Sequence, residues 1–189
     1  MHEPDERYLT AYHEAGHAVA ALTQRGGKLI TISIDCPHPC ATAGHPMTKH
    51  VGYTGFQVGG RDMLQFVTYA GPWAEARCQY AQESLDDEDD EGLTIDDYLN
   101  GVWRLNRDGD RDDYRQLEDG ISPDGMRFDV PTTLKAQLLG RRRYELIEER
   151  EQQWSRQLEE HCWPVIHTVA QMLLDGCTNV DAITAAVVI

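Results

Sequence analysis

Positive charge is scarce in this chain: 17 Lys and Arg stand against 32 Asp and Glu in 189 residues, a net charge of −15. A surface that acidic repels phosphate backbones and anionic lipid, which argues against binding nucleic acid or a membrane surface. Long apolar runs are also missing, and none approaches the roughly 20 residues that span a bilayer. The opening Met1-His2-Glu3-Pro4-Asp5-Glu6 is charged and has no apolar core, so no secretory leader is expected. Cysteine is sparse, odd in number and widely spaced (Cys36, Cys40, Cys78, Cys162, Cys177), which suits reduced thiols rather than a disulfide framework. No G-x-x-x-x-G-K-[ST] occurs; Gly26-Gly27-Lys28 lacks the first glycine and the hydroxyl that follows, so no nucleotide-driven motor is expected. What is present is 41% hydrophobic residues, enough for a core. The expectation is an acidic, cytoplasmic, globular protein forming a single domain over 1–189.

Periodicity divides the chain. Residues 4–24 read as a helix, with Asp5 as cap, Gly26-Gly27 as stop, and Tyr8, Tyr12, Ala15, Val19 and Leu22 as an apolar stripe. Gly16 inside it costs about 1 kcal/mol relative to Ala, which predicts a close neighbour at that point. Residues 28–35 and 51–56 read as two short strands that pair with each other, separated by a Pro- and His-rich loop. Residues 62–82 are helical, with Gly71-Pro72 expected to kink or divide them. An acid run at 84–91 reads as a solvated loop, and 94–105 as a helix capped by Thr94. After turn-rich 120–131, a long charged helix over 131–161, a shorter one over 164–174 and a last one over 180–188 complete the chain. The class is mainly α, with a two- to three-stranded β-ribbon after the first helix. It divides into a core at 1–120 and a C-terminal helical part at 121–189.

One motif carries chemistry. His13-Glu14-Ala15-Gly16-His17 is H-E-x-x-H within the strongest helix. Residues i and i+4 share a helix face, so His13 and His17 can point at one metal ion. Glu14 can then reach a metal-bound water without itself ligating, and act as a general base.

Ala11-Tyr12-His13-Glu14-Ala15-Gly16-His17-Ala18 resembles the active-site helix of the FtsH-type zinc metalloproteases. Lys28-Leu29-Ile30-Thr31-Ile32 resembles the strand after that helix, and Gly52-Tyr53-Thr54 the family's Gly-Tyr-Thr segment. Gly71-Pro72-Trp73-Ala74-Glu75-Ala76 is similar to its Gly-Gly-Arg-x-Ala-Glu-Glu helix, with Pro72 and Trp73 departing from the pattern. Asp112-Asp113-Tyr114-Arg115-Gln116 resembles the Asn-Asp-Phe-Gln-Arg stretch that supplies the third zinc ligand, and 163–183 the C-terminal helical pair. The resemblance implies a helical metallopeptidase domain. It implies Zn²⁺ on His13, His17 and Asp113, with Glu14 as the catalytic base. Asp97, Asp110 and Glu75 stay open as alternatives to Asp113. The family couples its peptidase to an AAA+ ATPase and works as hexameric rings. Without a motor of its own, this chain is expected to cleave peptides or unfolded protein, or chains delivered by a separate ATPase, and a homo-oligomer is open. The alternative reading is a non-catalytic interaction or scaffold protein that keeps the fold with a structural or vestigial metal.

Other features have plainer explanations. Cys36-Pro37-His38-Pro39-Cys40 matches no common zinc spacing and reads as a stiff loop, with His45 and His50 solvated beside it. Residues 86–91 lack the glycine and final glutamate of a calcium loop. Arg141-Arg142-Arg143 can pair with Glu145, Glu148 and Glu149 on neighbouring turns. The four tryptophans sit at apolar helical positions and read as core or interface residues.

Overall fold

The computed structural model describes residues 5–35, 52–83, 93–105, 110, 114 and 143–187. They form α1 (Glu6–Thr23), β1 (Lys28–Ser33), β2 (Tyr53–Gln57), α2 (Arg61–Glu83), α3 (Ile95–Leu105) and α4 (Arg143–Gln157). A π-turn (Leu158–Cys162), α5 (Trp163–Leu174) and α6 (Val180–Val187) follow. The described residues are mainly helical, with one small two-stranded antiparallel sheet. The loop at 36–50, the acid run, the turn-rich 120–131 and the first part of the expected long helix lie outside the described residues.

α1 begins as its sequence dictates, with the Asp5 carboxylate accepting from the Arg7 N–H. It is the central element rather than a surface helix with one apolar stripe. Ten of its residues are buried, almost continuously from Ala11 to Ala21, because α2, α5 and the β-ribbon cover different sides. Alanines at 11, 15, 18, 20 and 21 keep it thin, so its neighbours approach closely. Gly16 marks the closest approach. A Cβ there would run into the Ala70 carbonyl and the Ala74 methyl of α2, which is the neighbour the misplaced glycine predicted.

α2 is one helix across Gly71-Pro72, so the proline does not divide it. Pro72 forfeits a single backbone bond, and its neighbours Trp73 and Ala74 are buried against the core, where packing outweighs that loss. The C-terminal helices differ from expectation in a related way. α4 does not end near His161 but runs on through the π-turn into α5, where the Trp163 N–H bonds to the Leu158 carbonyl, five residues back. The wider turn makes room for the Pro164 ring, which would clash with the carbonyl four residues before it in a regular helix. The run buries Trp154, Leu158, Cys162, Ile166, Val169, Ala170 and Leu173.

Long-range ties lock these elements around α1. Trp163 packs edge-on to Trp73 and at 5.6 Å from Tyr12, with the Arg77 guanidinium over its ring. Arg7 grips both oxygens of Asp35 and donates to the Leu174 carbonyl, joining the start of α1 to the ends of β1 and α5. β1 and β2 pair antiparallel, Leu29 opposite Phe56 and Ile32 opposite Thr54, with an irregularity at Ile30. The ribbon lays Thr54 and Phe56 over the middle of α1.

Candidate metal centre

The helix repeat puts the imidazoles of His13 and His17 side by side, their Nε2 atoms 3.2 Å apart. Asp110, from the segment after α3, closes the group. Its Oδ2 lies 2.8 Å from His13 Nε2 and its Oδ1 3.4 Å from His17 Nε2. One ligand atom from each of the three residues lies within 4.8 Å of the other two.

The far nitrogens decide what the near ones can do. His17 Nδ1 donates to the Val67 carbonyl at 2.7 Å, and a carbonyl can only accept, so the proton sits on Nδ1. His13 lies between two carboxylates, with Nδ1 2.8 Å from Glu75 Oε2 and Nε2 2.8 Å from Asp110 Oδ2. With His13 in the tautomer that donates to Glu75, both Nε2 lone pairs face the Asp110 carboxylate, and the three acceptors suit a cation between them; a proton on His13 Nε2 would instead be donated to Asp110. Two imidazoles, one carboxylate and an outer partner for each ring make a donor set that fits a divalent metal. A tetrahedral ion held by these three residues would have one position left for water or a further ligand. Gly71 supports the arrangement, since a Cβ there would strike the His17 ring.

Protons answer the same need when no metal is bound. Burial alone lowers the His13 imidazole, but Asp110 and Glu75 reverse that and hold it well above its usual range. His17 is likewise lowered by burial and raised on balance by Asp110. Burial pushes Asp110 up, yet the facing His17 and His13 hold it well below the ordinary carboxylate range. Glu14 is pushed up by burial, and His13, His17 and Thr54 offset only part of that. The Glu14 carboxylate is thus buried and electrostatically linked to both imidazoles and to Asp110.

No protein-family model, curated protein or solved structure matches this chain. The reading of the site rests on its own residues.

Those residues sort clearly. His13 and His17 face one another on α1 together with Asp110, and Glu14 is buried with its carboxylate against Gly52 and Thr54. Asp113 lies outside the described residues, and the aspartate facing the imidazoles is Asp110, one of the open alternatives. Glu75, another alternative, faces the outer nitrogen of His13 and serves it as a hydrogen-bond acceptor. Asp97 is exposed and occupied elsewhere: its Oδ2 accepts from both the Thr94 N–H and hydroxyl, closing the first turn of α3. Sequence reading assigned no role to Thr54 or to the Val67 carbonyl. Strand alternation could have flagged Thr54, because residues 52, 54 and 56 fall on one face. Nothing local marks a backbone carbonyl 50 residues from its partner. His45, His50, Cys36 and Cys40 lie outside the described residues. No helix among the described residues is long and apolar enough to cross a membrane.

Proposed function

We propose that this chain is a zinc-dependent endopeptidase with an FtsH-like metallopeptidase domain, acting in the cytoplasm on peptides or unfolded protein. The observation that carries the reading is the convergence of His13 Nε2, His17 Nε2 and Asp110, with Glu75 and the Val67 carbonyl on the outer imidazole nitrogens and Glu14 in electrostatic reach of all three. His13, His17 and Asp110 would hold the metal. A bound zinc would supply Lewis acidity, lowering the pKa of water to about 7 and polarising the scissile carbonyl.

The remaining steps belong to the chain's own side chains. Glu14 accepts the proton of the attacking water and passes it to the departing amine. Glu75 and Val67 hold the two rings in their ligating tautomers. Energy for unfolding folded substrates would come from a separate ATPase, and a ring of copies would suit such a partner.

The test compares zinc-loaded protein with Glu14→Gln on an unfolded substrate such as reduced, alkylated protein. Cleavage that disappears in Glu14→Gln while about one zinc per chain remains supports the reading. Equal cleavage by both removes Glu14-dependent catalysis. Zinc retained with no cleavage by the unaltered protein leaves the scaffold reading in its place.

A further inference from the structure

The Glu14 carboxylate is shaped from outside its own helix. Glu14 is 6% exposed, and part of its enclosure is strand β2. Thr54 lies opposite buried Ile32 in the ribbon and on the same strand face as Phe56, whose ring stacks near His17. Its hydroxyl is 2.6 Å from Glu14 Oε2 and 3.2 Å from the Glu14 backbone carbonyl. A hydroxyl has one proton to donate, and the shorter contact to the carboxylate takes it. On the other side, a Cβ at Gly52 would collide with Oε1, Cγ and Cδ of Glu14, so bare backbone closes against the carboxylate there. One oxygen of Glu14 is thus held by a hydroxyl, and the carboxylate is boxed by a strand distant in sequence.

We propose that Thr54 is the positioning residue for Glu14, fixing the carboxylate's rotamer from β2 so that its orientation does not depend on α1 alone. The proposal rests on the reading of Glu14 as the base. A glutamate has three rotatable bonds, and a general base works only within hydrogen-bond reach of the proton it takes. A threonine that merely suited a strand would need its shape and not its hydroxyl. Valine keeps the shape and the strand preference while removing the donor. Serine keeps the donor and discards the methyl.

The experiment uses the full chain, zinc-loaded and with metal content checked, as wild type, Thr54→Val, Thr54→Ser, Glu14→Ala and the Glu14→Ala/Thr54→Val double variant. Two quantities are read: kcat and KM on reduced, alkylated protein, and the Kd of acetohydroxamate, a metal chelator that also hydrogen-bonds to a neighbouring carboxylate. Thr54→Val is expected to lower kcat by about ten- to a hundredfold with little change in KM, since small misplacements of a reacting group cost that much. Thr54→Ser is expected to stay close to wild type. Acetohydroxamate binding weakens about tenfold in Thr54→Val, and adding that change to Glu14→Ala has no further effect, as expected where one residue acts through the other.

Wild-type behaviour of Thr54→Val in both measurements would overturn the proposal. So would equal impairment of the serine and valine variants, or an undiminished effect of Thr54→Val in the Glu14→Ala background. If the wild type binds acetohydroxamate but cleaves nothing, the peptidase reading fails, while the binding cycle still decides the role of Thr54. Failure of the zinc-loaded wild type to bind acetohydroxamate would overturn both.

Discussion

Asp110 and Asp113 are three positions apart, and it is Asp110 that faces both imidazoles. Asp110 faces the Nε2 atoms of both His13 and His17, so under the proposed zinc site Asp110→Asn should lose zinc in equilibrium dialysis, whereas Asp113→Asn should keep about one ion per chain. The opposite pattern would return the ligand role to Asp113. Glu75 acts through His13 Nδ1, and Glu75→Gln should weaken zinc binding by about 10- to 100-fold without abolishing it, the usual cost of losing an outer partner. Protonation sets a further expectation. The folded-state pKa values of His13 and His17 are raised in the metal-free protein, so their stabilising contribution is complete below about pH 6.5 and is lost as pH rises through the raised values. Asp110 is depressed, so its contribution is present above about pH 3.9 and is lost as pH falls through the lowered value. Zinc must displace the imidazole protons. Its affinity should therefore rise with pH, with protons released on binding, which calorimetry in buffers of different ionisation enthalpy would measure. A pH-independent affinity would contradict the imidazole assignment.

Helix α1 carries the motif, but its neighbours make it a site. α2 provides Val67, Gly71 and Glu75 on the face toward the histidines, and this face reaches them only because Gly16 lets the two helices close up. Gly16→Ala improves helix propensity by about 1 kcal/mol, yet it drives a methyl into the Ala70 carbonyl. Overpacking of that kind costs roughly 1–3 kcal/mol, so the net change should be a lower denaturation midpoint with an unchanged m-value. A midpoint that rises would mean α1 and α2 stand further apart than described. The π-turn has an equally local cause in Pro164 and an equally distant consequence. It keeps Leu158, Cys162 and Ile166 buried together while α5 brings Trp163 and His167 onto Tyr12, one residue from His13. Burial also pushes the Cys162 thiol up to about 11 and the Cys78 thiol up to about 12, so neither is a reactive thiolate near neutrality.

Under the proposed site metal and fold should stabilise one another, because the residues that would hold the ion come from segments far apart in the chain: Asp110 is 97 residues from His13. An unfolded chain offers no such site. Zinc at a hundred times its Kd adds about 2.7 kcal/mol. For a chain of this size that should raise Tm by roughly 5–10 °C in differential scanning calorimetry. Chelator should reverse the shift, and His13→Ala should abolish it. Zinc-independent melting of the unaltered protein would contradict a site built at His13, His17 and Asp110.

Features set by nearby residues were legible without any coordinates. The four-residue spacing of His13 and His17, the Asp5 cap, the pairing of the two short strands and the warning carried by Gly16 all follow from backbone geometry that repeats every few residues. The mainly helical class follows from the same periodicities. Which carboxylate closes the site, which atoms hold the imidazoles and what holds Glu14 were not legible in that way. Asp110, Glu75, Val67 and Thr54 lie 97, 62, 50 and 40 residues from the α1 residues they contact. Glu75 and Val67 are placed by the packing of α2 on α1, Thr54 by that of the ribbon, and Asp110 by the segment after α3. Local periodicity says which way a side chain faces from its own helix or strand, and only packing brings a distant partner to meet it.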